Sequence, residues 1–127
     1  MIRVFKTRHF SRWMRKTELS DKALCKAVVE MEQGLIDADL GGGVVKKRVP
    51  LPGQGKRGSV RTLVATRKSN CWFFVFGFEK NERSNISNEE LEGLQEIAQQ
   101  LLARTSTELD EAVRDGSLQE ICHDQSR

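Results

Sequence analysis

The sequence predicts an α+β fold: a small antiparallel sheet, elements in the order β-α-α-β-β-β-α, with helices packed on one face. Three observations predict it. Residues 44–78 hold three strand-like segments in succession, which read as a meander. Residues 20–35 and 87–102 carry apolar residues at helical spacing. The stretches joining these segments are short or rich in glycine and proline.

IRVFKT (2–7) has strand composition, and Phe10, Trp13 and Met14 then follow at i, i+3, i+4, a helical turn or short helix. Beyond Ser20, a good N-cap, Leu24, Val28, Met31 and Leu35 mark one apolar helix face. LGGG (40–43) is a turn. VVKKRV (44–49) is the next strand, and PLPGQGKRG (50–58) has too much proline and glycine for regular structure. SVRTLVATRK (59–68) alternates: Val60, Thr62, Val64 and Thr66 on one face, Arg61, Leu63, Ala65 and Arg67 on the other. Ser69-Asn70 forms a hairpin connection to CWFFVFGF (71–78), which is apolar on both faces and so belongs inside the sheet. Ser87 and Glu90 match a capping box at the head of a helix with Leu91, Leu94, Ile97, Ala98, Leu101 and Leu102 on its apolar face. Residues 1–103 form the domain, and 104–127 read as an acidic tail, partly helical or flexible, with little to bury.

The 127 residues are 31% charged and 38% hydrophobic, enough for one modest core. No apolar run reaches the length of a membrane span, and the N-terminus lacks a signal-peptide core, which predicts a cytoplasmic protein. Cys25, Cys71 and Cys122 are odd in number and far apart, suggesting neither a disulfide framework nor a metal motif. His9 and His123 are too scattered for a metal cluster.

The net charge of +3 is unevenly distributed. Residues 1–43 carry +2, residues 44–83 carry +8 and residues 84–127 carry −7. A central basic block points to an anionic partner, with nucleic acid the commonest.

KKRV, then GKRGSVRTL, then FGFEKNERSNIS running into a helix resembles the RelE superfamily of toxins, and more closely its HigB-type branch, from type II toxin–antitoxin modules. The resemblance covers residues 1–103 and part of the tail. It implies a ribosome-dependent mRNA endonuclease in which the 2′-hydroxyl attacks the adjacent phosphate. The implied partners are a cognate antitoxin, the ribosome and mRNA, with no cofactor. Such a reaction needs a group to take the 2′-OH proton, a cation on the phosphorane and a group to protonate the leaving oxygen. Arginine suits the second task, and a lysine with a lowered pKa suits the others.

Carried over by position, Arg61, Lys80 and Arg83 are the catalytic candidates, and Lys46, Lys47, Arg48, Lys56, Arg57 and Asn81 the RNA-binding ones. Lys46 and Arg48 share a strand face and Lys47 takes the other, so one set looks away. The chain has no tyrosine, and Ser87, a helix cap, stands where many relatives place one. Acid–base work then falls to a lysine or to His9, or else the chain acts by binding, as gyrase-inhibiting ParE-like toxins or nucleic-acid-binding proteins do. Taken one at a time, the lysines also read as solvated surface cations, and Trp13, Trp72 and the phenylalanines as core.

Overall fold

Thr7 ends the first strand and starts the first helix at once, its Oγ1 accepting the Phe10 N–H at 3.2 Å. A computed structural model, describing residues 2–53, 58–67 and 70–123, places β1 at Arg3–Thr7 and α1 at Arg8–Met14. Ser20 caps α2 (Asp21–Glu32), accepting the Ala23 N–H at 3.2 Å. The meander follows: β2 (Ala38–Gly41), β3 (Val44–Pro50), β4 (Ser59–Thr66) and β5 (Cys71–Glu79). Ser87 and Glu90 close the expected capping box on α3 (Asn88–Leu102). Thr105 and Glu108 form another on α4 (Ser106–Asp115), which Gly116 ends with a positive φ of 83°. The chain returns as β6 (Leu118–Ile121).

The six strands lie in the order β2-β3-β4-β5-β1-β6. All neighbours are antiparallel except β1 and β5, which run parallel. β5 sits between β4 and β1, where its two apolar faces are both used. The α+β class is as the sequence predicts, but the helices are not gathered on one face. Phe10 and Met14 of α1, with Leu24, Val28 and Met31 of α2, pack on one side against Val45, Val60, Val64, Trp72 and Phe74. Leu94, Ala98 and Leu101 of α3, with Leu109 and Ala112 of α4, pack on the other against Val44, Leu63, Ala65 and Phe73. The reason is the sheet itself: strands apolar on both faces need cover on both.

The tail is the second correction. It forms a helix and an extended segment, and each buries one apolar face: Leu109 is 3% exposed, Ala112 5%, Leu118 4% and Ile121 5%. β6 pairs with β1, and Arg3 holds it by hydrogen bonds of 2.9 and 2.8 Å to Glu120, with a further one of 2.8 Å to Asp110 on α4. The third correction concerns the cysteines. Cys25 on α2 and Cys122, just past β6, form a disulfide across 97 positions, their Cα atoms 5.6 Å apart. Linear spacing hides this pair because β1–β6 pairing brings the tail back to α2.

Candidate polyanion-binding site

The alternation of β4 puts Arg61 on the α3 side of the sheet, with Leu63 and Ala65. The β3–β4 register sets Arg48 directly across from Arg61, and the β4–β5 register sets Phe78 on Arg61's other side. Lys46 lies on the same face of β3 as Arg48. Two arginines thus stand at opposite register positions on adjacent strands, where like charges are destabilising. Arg61 is half-buried, and its Nη1 donates to Ser59 Oγ at 3.1 Å. Arg48 is exposed, with Asp37 at 3.9 Å.

Lys47 leaves this group. It points to the α2 side, is buried, and its Nζ donates to the Leu35 carbonyl at 2.9 Å and pairs with Glu30 at 2.9 Å. Lys56 and Arg57 lie outside the described residues.

The turn after β5 is built by its own acidic residues. Glu82 Oε1 accepts the Glu79 N–H at 3.0 Å, and the Glu79 carbonyl accepts the Glu82 N–H at 3.0 Å. Arg83 anchors the turn to α3. Its two terminal nitrogens grip both carboxylate oxygens of Glu90, its Nε donates to the Asn85 carbonyl at 3.0 Å, and its guanidinium lies 5.8 Å from the Phe78 ring centroid. The Arg83 fork, with the Ser87 N–H as a second donor, holds the Glu90 carboxyl down at about 2. Arg83, a catalytic candidate by sequence, therefore has its fork occupied by protein.

Lys80 and Asn81, both exposed, project from this turn into a cleft of about 770 Å³. The start of β4 adds Ser59, and the α1–α2 connection adds Arg15, Lys16 and Thr17. Glu18 and Glu79 also border it. Ser59 joins the two parts of the site, since it lines the cleft and receives the Arg61 hydrogen bond. Sequence reading missed Arg15 and Lys16. Their signal was RHFSRWMRK (8–16), which has no acidic residue, but counting charge over residues 1–43 averaged it away.

His9 stacks on Phe76 with centroids 5.6 Å apart and borders a separate cavity with Leu94 and Ile97, which shares no lining residue with the cleft. Ser87 Oγ accepts the Glu90 N–H at 3.1 Å, so it serves as a cap. Among the described residues no cluster of His, Cys, Asp or Glu is arranged to hold a metal ion.

Fold and site define a small α+β protein with a basic sheet end suited to a polyanion. A sequence model of the family described as "RelE toxin of RelE / RelB toxin-antitoxin system" matches residues 2–121, and the chain belongs to this RelE toxin family. No curated protein matches it. A toxin of this family is one half of a toxin–antitoxin pair, so a cognate antitoxin is its partner. None of its helices, among the described residues, is long and apolar enough to cross a membrane.

Proposed function

We propose that the chain is an mRNA endonuclease of the HigB-type branch, acting on translating ribosomes in the cytoplasm. The observation that supports this most is the Arg48–Arg61 pair, joined through the Arg61–Ser59 hydrogen bond to a cleft that presents Lys80 and Asn81. In this reading the Arg61 guanidinium binds the scissile phosphate and stabilises the phosphorane. The 2′-oxygen bonds to phosphorus, its proton passes to a base, the bond to the 5′-oxygen breaks, and that oxygen is protonated. The products are a 2′,3′-cyclic phosphate and a 5′-hydroxyl, and no cofactor takes part. In the same reading Lys80, which lines the cleft, transfers the protons. Asn81 contacts the sugar–phosphate chain; Lys46, Arg48, Lys56 and Arg57 contact flanking phosphates. Arg83 acts through Glu90 and Phe78 to position the turn that carries Lys80, and Lys47 is structural.

A second reading, a toxin that inhibits by binding alone, is favoured by the lack of tyrosine and the use of Ser87 as a cap. Mapping of 5′ ends in cellular mRNA after a short pulse of expression separates the two. New 5′-hydroxyl ends inside translated regions, lost in Arg61→Ala and Lys80→Ala, support the nuclease. Growth arrest with intact mRNA supports the binding toxin.

A further inference from the structure

α1 carries a second basic surface. Phe10, Trp13 and Met14 turn one side of the helix to the core, Phe10 being 0% and Met14 7% exposed. Arg8, Arg12 and Arg15 recur at i, i+4 and i+7 on the other side, all exposed, with exposed Lys16 beside them. No acidic residue occurs between Arg8 and Thr17. Among the described residues, none lies within 4 Å of Arg12, Arg15 or Lys16 as an ion-pair partner. Like charges one turn apart destabilise a helix. The helix dipole favours the cations near its C-terminal end; Arg8, its first residue, has Asp115 and the C-terminal end of α4 beside it, which leaves Arg12, Arg15 and Lys16 as the part of the stripe that no acidic neighbour accounts for.

We infer that the Arg8–Arg12–Arg15 stripe, with Lys16, is a track for an RNA backbone that continues out of the cleft. This rests on the RNA-cleaving reading above and extends the contact surface to an element outside the sheet. Continuity carries the inference: Arg15 and Lys16 belong to the stripe and also line the cleft that holds Lys80. Seven residues of helix span about 10 Å. That is longer than one phosphate is wide, so the ligand is a strand and not a mononucleotide. A membrane surface fits less well, because the apolar side of α1 is buried in the core and unavailable to lipid.

The test is the salt dependence of binding between the purified protein and fluorescent single-stranded RNA. Each phosphate contact adds about 0.7 to the log–log slope. The double variant Arg8→Gln/Arg12→Gln, which leaves every cleft residue in place, is expected to lower the slope by about 1.4. Arg8→Lys/Arg12→Lys should keep the wild-type slope, separating charge from packing. An Arg8→Gln/Arg12→Gln slope equal to wild type, with Arg61→Ala/Lys80→Ala lowered, overturns the track and leaves the cleft reading standing. The reverse pattern keeps the track and removes the cleft. Wild-type binding without salt dependence overturns both.

Discussion

Arg61 is half-buried and stands at the register position opposite Arg48, so its removal takes away one of two like charges and opens no core cavity. Arg61→Ala should therefore melt within a few degrees of wild type by circular dichroism, and under the proposed mechanism it loses mRNA cleavage by about 10²–10³-fold. Comparable cleavage by a folded variant would remove Arg61 from the mechanism. Glu90 makes a pH prediction. Its carboxyl is held at about 2 in the folded chain against an ordinary 4.5. A pKa lowered by folding adds stability above the unfolded value and loses it as pH falls through the folded one. Glutamine still suits a capping box, so Glu90→Gln isolates the charge. The melting-temperature gap between wild type and this variant should be full above pH 4.5 and close as pH falls towards 2. A gap that is flat with pH would mean the Arg83–Glu90 pair adds nothing. Arg61's face was legible from alternation in SVRTLVAT. Arg83's engagement was not, because Glu90 belongs equally to the local capping box.

At the scale of elements, α1 and β5 meet closely at Gly77. A Cβ at Gly77 would lie 2.3 Å from Trp13 Cζ3, so the bare glycine is what lets the indole sit on the strand. Gly77→Ala should cost about 1–3 kcal/mol by overpacking, measured by urea denaturation. It should also shift the turn carrying Lys80, lowering cleavage. Stability equal to wild type would show that Trp13 moves aside freely. The caps of α2 and α3 were readable because each is settled within four residues. The face that each helix covers was not readable, since an apolar stripe reports that it is buried and not against what.

For the whole molecule, the Cys25–Cys122 bond ties α2 to the end of the chain. Closing a loop of roughly 100 residues stabilises by up to about 4.7 kcal/mol through the unfolded state. Reduction should lower the melting temperature, and Cys122→Ser should melt like the reduced wild type. Thiol titration of the unreduced, denatured protein should find one free thiol, Cys71, and three after reduction. Three thiols before reduction would mean the bond does not form in solution. The state of this pair follows the redox poise of the compartment that holds the protein.

The sequence by itself determined most of the elements, their apolar faces, the central place of CWFFVFGF and membership of the RelE toxin family. Periodicity, capping and short motifs are local, and a local pattern is fully present in the chain. Only the tertiary structure decided that β1 runs parallel to β5, that β6 closes the sheet, and that helices cover both faces. It also decided that Cys25 meets Cys122 and that Arg15 and Lys16 share a cleft with Lys80. These depend on which buried surfaces meet across tens of residues. Burial free energy is non-directional, so it rewards any apolar partner alike; strand register and packing then select one.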